Sequence, residues 1–357
     1  MIYLDYQATT PLAPEARDAM LQWLDGPEGT AFGNPHSPHR MGRMAAAAVD
    51  LARDRVAALF PPNGQVIFTS GATEAINLAM RGCPGEGAIS VSAIEHAAVL
   101  DTAHAIAKCH ELNVAADGQC NARQDIPANT KLVAVMQVNN EIGVIQPTVE
   151  FHRKAKEAGA LYLCDAVQAY GKIALAAADM IAVSAHKMHG PKGIGALWVR
   201  NGIDLDPQQT GGGQEAKLRS GTLSPALCAG FGAAAKVAKE RMEEDAAHVE
   251  ALWNRARELF EDWELNGSAD ARWHGNLNIR KNGLDVARLM SDCRDVMFSA
   301  GSACASGSGR PSHVLQAIGL DAAEAKSSIR LGFGRYTDLD DLETAAEKVR
   351  FAASQQG

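Results

Sequence analysis

Short apolar runs recur along the first part of the chain and alternate with segments of helical period. Val66-Ile67-Phe68-Thr69, Gly87-Ala88-Ile89-Ser90-Val91, Leu132-Val133-Ala134-Val135-Met136, Leu161-Tyr162-Leu163-Cys164, Met180-Ile181-Ala182-Val183 and Ala196-Leu197-Trp198-Val199 read as buried strands. Helix-period patterns lie between several of them, as at 74–80 and 97–109. Strand and helix in alternation predict an α/β fold with a mostly parallel sheet covered on both faces. Sheets of that kind bind ligands at the carboxyl ends of their strands.

Past about residue 225 the texture changes. A long charged amphipathic helix is predicted over 226–263, followed by a shorter α+β pattern with strands at Leu277-Asn278-Ile279 and Ser328-Ile329-Arg330-Leu331. The domain boundary is expected inside that helix. A large domain would span 13–240, and a smaller C-terminal domain 241–357 together with the N-terminal segment 1–12.

Composition narrows the class. With 357 residues, 46% of them hydrophobic, the chain can bury a large core and divide into two domains. A net charge of -8 argues against nucleic-acid binding as the main role. No apolar run approaches a membrane span, and the start Met1-Ile2-Tyr3-Leu4-Asp5-Tyr6 lacks the pattern of a signal peptide, so a cytoplasmic protein is expected. The seven cysteines, Cys83, Cys109, Cys120, Cys164, Cys228, Cys293 and Cys304, are scattered and odd in number, which suits free thiols in a reducing compartment. The histidine pairs His36/His39 and His186/His189 lack the further ligands a metal site needs, and no metal is expected.

Candidate chemistry gathers at the strand ends. Ala182-Val183-Ser184-Ala185-His186-Lys187 delivers a Ser, a His and a Lys to one strand end, and Gly190, Pro191, Gly193 and Gly195 follow. A lysine held there is a candidate for a Schiff base with pyridoxal phosphate (PLP), although an ordinary surface lysine fits the local pattern too. Thr69-Ser70-Gly71-Ala72-Thr73-Glu74 reads as strand, glycine turn and helix start, an arrangement that suits a phosphate as well as a plain helix cap. Asp165 closes an apolar strand, where a pyridinium nitrogen would compensate its charge, and Gln168 follows three residues on. His96 stands at a helix start after another strand, placed to stack on a ring and move protons; His104 and His110, further along the same helix, are given no role. Asn139, Asn140 and Glu141 end a further strand. The order phosphate loop, His, Asn, Asp, Lys at successive strand ends carries more weight than any one of them.

These segments, with Tyr3-Leu4-Asp5-Tyr6-Gln7-Ala8-Thr9-Thr10-Pro11, Phe32-Gly33-Asn34-Pro35, Arg219-Ser220-Gly221-Thr222 and Ala300-Gly301-Ser302-Ala303-Cys304, resemble the cysteine desulfurases of the NifS/IscS type, which are class V, fold-type I PLP enzymes. The resemblance covers essentially the whole chain. It implies that Lys187 binds PLP, that Asp165 pairs with the pyridine nitrogen, that Gln168 bonds the ring hydroxyl and that His96 stacks on the ring. It implies Ala72, Thr73, Ser184 and His186 at the phosphate, with Thr222 reaching the phosphate of a partner subunit in a homodimer. Asn34, Asn140 and Arg330 would position the substrate L-cysteine. Cys304, in a segment of small residues at 299–311 expected to be a mobile surface loop, would take the sulfur as a persulfide and pass it to an acceptor such as an iron–sulfur scaffold. The long loop is that of the group able to hand sulfur to partner proteins.

Two departures stand out. The chain is somewhat short for the family, around 81–86 and 113–130, and Thr210 and Gln214 stand where the family usually has His. Other readings are a selenocysteine lyase or an aminotransferase of the same fold, or a non-enzymatic interaction protein built on it.

Overall fold

The computed structural model describes residues 1–301 and 312–356. Strand β1 (Ile2–Tyr3) opens the chain. A seven-stranded sheet follows, built from β2 (Gly64–Thr69), β3 (Ala88–Ser92), β4 (Cys109–Leu112), β5 (Thr130–Ala134), β6 (Leu161–Asp165), β7 (Met180–Ser184) and β8 (Gly195–Arg200). Its order is β2-β8-β7-β6-β5-β3-β4. The strands from β7 to β4 pair in parallel, and β8 runs antiparallel to both its neighbours.

The apolar runs are explained by which face each residue meets. Tyr162, Cys164, Ile181, Val183 and Trp198 belong to one buried cluster, with Val49, Ala52 and Val56 of helix Arg40–Ala57 and Phe231 of helix Pro225–Leu259. The alternate residues Leu163, Met180, Ala182 and Leu197 belong to a second, with Ile76 and Ala79 of helix Ala72–Gly82 and Val99 of helix Ala97–Ile106. Successive side chains point to opposite faces, so a strand covered on both faces has no polar positions to alternate with.

Beyond the long helix, β9 (Glu264–Leu265), β10 (Asn276–Arg280), β12 (Ser299–Ala300) and β13 (Ser328–Gly332) form an antiparallel sheet in the order β12-β13-β10-β9, while β11 (Val296–Met297) pairs in parallel with β1. Ala234, Ala235 and Ala238 of the long helix join the first cluster, and Leu252, Trp253 and Ala256 join a third around β10 and β13.

Three expectations are corrected. The helix expected over 97–109 ends at Ile106, and His110 lies on β4, an edge strand, rather than on the helix. The long helix stops at Leu259, before residue 263, because Glu264–Leu265 joins β10. At the start of the segment 299–311, Ser299 pairs with Arg330 and Ala300 with Ile329 as a strand, so these two residues are not loop; residues 302–311 lie outside the described residues.

One loop beside β2 departs from ordinary backbone geometry. Glu215, Ala216 and Lys217 all lie in the left-handed region, with φ of 45°, 55° and 66°. For non-glycine residues this is costly and persists only where surroundings enforce it. The enforcing contact is a two-pronged pair: Arg53 donates to Glu215 Oε2 at 2.7 Å and to Oε1 at 2.6 Å, and the Phe68 amide donates to Oε2 at 2.5 Å. Arg53→Met would leave the Glu215 carboxylate buried without its cation. We expect a loss of about 3 kcal/mol, the range found for breaking buried pairs, measured as a lower urea midpoint. An unchanged midpoint would show that the loop is held by other contacts.

Candidate active site

A cavity of about 620 Å³ opens at the carboxyl ends of β5, β6 and β7 and the start of helix Ala72–Gly82. Ala72, Thr73 and Glu74 line it from that helix, which has Gly71 at its N-cap and no capping side chain among the described residues. The first turn of a helix carries amides without intrahelical partners, and these face an anion well. A Cβ on Gly195 would stand 2.5 Å from the Val183 carbonyl and 2.8 Å from Gly71 Cα, so only glycine lets β8 start against this turn. Glu74 would repel an anion, but Arg219 Nε donates to it at 2.8 Å and the Ser70 amide at 2.7 Å. The helix start thus keeps little net negative charge.

Strand ends supply the other walls. Asp165, the last residue of β6, is 6% exposed and accepts from the Val167 amide at 2.9 Å. Burial pushes its pKa up, and the charges of His96 and Lys187 pull it back down. His96 caps helix Ala97–Ile106, its Nδ1 accepting from the Ala98 amide at 3.1 Å, so the neutral ring carries its proton on Nε2. Behind it Glu95 is fully buried; the Met136 amide donates to one oxygen at 2.7 Å, and the other has no hydrogen-bond partner among the described residues. Burial, then the neighbouring Asp165, raises its pKa well above the usual carboxylate range. Burial and the neighbouring carboxylate thus disfavour charge on Glu95, while the charges of His96 and Lys187 favour it on Asp165.

Lys187 sits in the turn Ala185–Lys187 directly after β7. Its Nζ donates to the main-chain carbonyls of Gln7 at 2.6 Å and Ala8 at 2.9 Å. Ser184 ends β7 and lines the same cavity. His186 lines it too, with Nδ1 3.2 Å from Thr9 Oγ1. Asn140 and Arg330 line it from the side of β13. Arg330 is 1% exposed; Nη1 donates to the Asn140 carbonyl at 2.9 Å, Nη2 to Asp5 Oδ1 at 2.8 Å, and Nε has no partner among the described residues. Gln168 completes the set.

The structure therefore brings together Ala72, Thr73, His96, Asn140, Asp165, Gln168, Ser184, His186, Lys187 and Arg330. It does not bring Asn34 or Thr222 to this cavity: both are exposed, and the Asn34 side chain accepts from the His36 amide at 2.9 Å. Cys304 lies outside the described residues. Sequence reasoning gave no role to Gln7, Ala8, Thr9 or Lys192, which also line the cavity. The N-terminal three act largely through main-chain atoms, and no side-chain pattern announces that.

The model of the aminotransferase class-V family matches residues 2–344. This chain belongs to that family. It is 40% identical to the cysteine desulfurase IscS of Shewanella denitrificans over 375 residues, covering 98% of this chain and 91% of that protein. It is 41% identical to the mitochondrial cysteine desulfurase of Saccharomyces cerevisiae over 371 residues, covering 98% and 74%. A NifS-like protein from Rickettsia africae has a solved structure that superposes with a TM-score of 0.89, at 28% identity over 99% of each chain. This class-V chain is an enzyme with the fold-type I architecture, and its cofactor is PLP. The residues present fit that group: a glycine-walled helix start for the phosphate, a buried carboxylate for the ring nitrogen and a lysine between them. Among the described residues no cluster of three His, Cys, Asp or Glu side chains could hold a metal, and no helix is long and apolar enough to cross a membrane.

Two histidines beside the lysine generate a pH prediction. Burial, then nearby positive charge, pushes His186 down to about 4; burial, then Arg335, does the same to His189. The unfolded chain protonates them near pH 6.5 and the folded chain only near 4. Their contribution to stability is full above about 6.5 and is lost as the pH falls toward 4. Glu95 works in the opposite direction, so a comparison isolates the effect. We expect His189→Gln to lose less stability than the parent protein between pH 6.5 and 4.5 in urea melts. Parallel pH profiles would refute it.

Proposed function

We propose that this chain is a cysteine desulfurase that converts L-cysteine to L-alanine, holds the sulfur as a persulfide on Cys304 and passes it to an acceptor protein, an iron–sulfur scaffold. The observation that carries the reading is the convergence of Lys187, Asp165, His96 and Arg330 on one cavity, in a chain whose curated relatives bear that name. Bound PLP supplies an aldehyde that takes up amines and a ring that accepts the electron pair left when an α-proton departs.

The rest falls to the chain's own residues. Lys187 binds the cofactor and, once displaced by substrate, takes the α-proton on Nζ. Asp165 keeps the ring nitrogen protonated, since an anion buried at a strand end favours a proton on its partner. Ala72 and Thr73 at the helix start, with Ser184 and His186, hold the phosphate. Gln168 meets the ring oxygen. Arg330 offers its fork to the substrate carboxylate, with Asn140 beside it. His96, with Nδ1 held by the Ala98 amide, would stack on the ring and move thiol protons through Nε2. The Cys304 thiolate then forms a bond to the substrate sulfur while the substrate's carbon–sulfur bond breaks, the electron pair leaving on the carbon. Thr222 is exposed and does not line this cavity, as suits a residue that would serve a partner's phosphate in a homodimer. The six described cysteines are free, in keeping with a cytoplasmic enzyme. A division into 13–240 and 241–357 with 1–12 fits the change of packing along the long helix.

The test is alanine formation from L-cysteine by PLP-loaded protein beside Cys304→Ala. The expected result is a loss of about 10²-fold or more with the visible PLP band retained, as befits removal of a nucleophile. A Cys304→Ala protein as active as its parent would overturn the persulfide. A coloured parent making no alanine would overturn the reaction, and amino-group transfer would be assayed next.

A further inference from the structure

Gln168 stands between two cavities, and a second lysine holds its far side. Its Nε2 donates to the Gln7 main-chain carbonyl at 3.0 Å, the same oxygen that receives Lys187 Nζ at 2.6 Å. Its Oε1 accepts from Lys172 Nζ at 3.0 Å. Lys172 does not line the large cavity. It lines a neighbouring one of about 30 Å³, room for about one water, with Tyr6, His189, Asp245 and Arg335 around it.

The two contacts settle which way the amide faces. A main-chain carbonyl only accepts, so the nitrogen must face Gln7, and the oxygen then faces Lys172 Nζ, which donates to it. One N–H of the amide is used by Gln7, and the other remains for the cavity. We propose that Lys172 is a positioning residue for the cofactor: by holding Gln168 Oε1 it presents the amide N–H, and withholds the amide C=O, from the ring-oxygen side of the PLP site. Without Lys172 the amide is held at one end only, and rotation about its terminal bond turns an acceptor toward an oxygen that is itself an acceptor. The inference rests on the PLP reading above.

Placement of the lysine is consistent with a specific task. Burial, then the neighbouring Lys187 charge, pushes its pKa down to about 7. A buried amine facing a like charge is an expensive way to cap one side-chain carbonyl, and an apolar residue would fill the space at lower cost.

The test uses apoprotein titrated with PLP, followed through the visible band, for the parent, Lys172→Met, Lys172→Arg, Gln168→Ala and the double variant Lys172→Met/Gln168→Ala. A donor to the ring oxygen stabilises its ionised form. Its loss should raise the apparent pKa of the bound chromophore by about one unit and weaken PLP binding about tenfold. Lys172→Met is expected to shift both quantities in the direction of Gln168→Ala, Lys172→Arg to keep most of the parent behaviour, and the double variant to add little to Gln168→Ala. Lys172→Met matching the parent would overturn the proposal. So would shifts that add in the double variant, because the lysine would then act on the chromophore through its charge rather than through Gln168. Should Lys172→Met fail to fold, Lys172→Leu against Lys172→Arg decides in the same way, with parent behaviour in Lys172→Leu overturning the proposal. A parent that binds no PLP would sink the cofactor reading itself, an outcome distinct from these.

Discussion

The main chain of residues 2–13 is the constraint on which the site depends. On one side it joins the antiparallel sheet: Ile2 and Tyr3 pair with β11, and the Gly332 amide on β13 donates to the Leu4 carbonyl at 2.8 Å. On the other it grips the lysine turn, with Thr10 N donating to His186 O and Ala13 N to His189 O, both at 2.9 Å. Thr10 Oγ1 also accepts from the His189 amide at 2.7 Å, where His189 holds a φ of 67° that a non-glycine residue rarely adopts. The carbonyls of Gln7 and Ala8 meet Lys187 Nζ between these anchors. Arg330 and Lys187 come from different sheets, and this segment fixes the distance between them.

Charge follows the same economy. Several ionised side chains in or beside the cavity are held by partners already in place. Asp5 meets Arg330 where a substrate carboxylate would bind, Arg219 quiets Glu74 beside the phosphate cradle, and main-chain carbonyls hold the lysine ammonium. Pre-placed partners of this kind keep side chains in working positions, so that little ordering remains when the ligand arrives. Glu95 shows the other solution. Burial and the neighbouring Asp165 both push its pKa up, so a second anion beside Asp165 is disfavoured.

How much of this was legible follows from which physics wrote each feature. The strands of the central sheet announced themselves because burial on both faces leaves no polar positions, and their ends offered Asp165 and Lys187 as candidates whose roles, like that of Ser184, the resemblance then supplied. Strand β4 did not, since Cys109, His110 and Glu111 are partly exposed at a sheet edge and lack an apolar run. The grip of the N-terminal segment was invisible because its bonds are mostly main-chain, which any sequence possesses. Nothing in the sequence pattern singles out Lys172; only the fold sets its amine against Gln168. Asn34 and Thr222 were found by resemblance alone, and their surroundings within one chain do not assign them a ligand.

The arginine poses the last physical question of the site. Arg330 has Nη1 on a carbonyl and Nη2 on Asp5, while Nε, buried and without a partner among the described residues, is the donor left over. Burying an unmet guanidinium N–H is costly, which makes the empty position one that a carboxylate fills with gain. Ser299 Oγ donates to Asp5 Oδ1 at 2.9 Å and lies 3.3 Å from Nη2, so the same arginine is bonded to the strand that leads toward Cys304. Asp5 holds both Nη2 of the arginine and the Ser299 hydroxyl, so the placement of β12 and of the Arg330 guanidinium depend on one carboxylate.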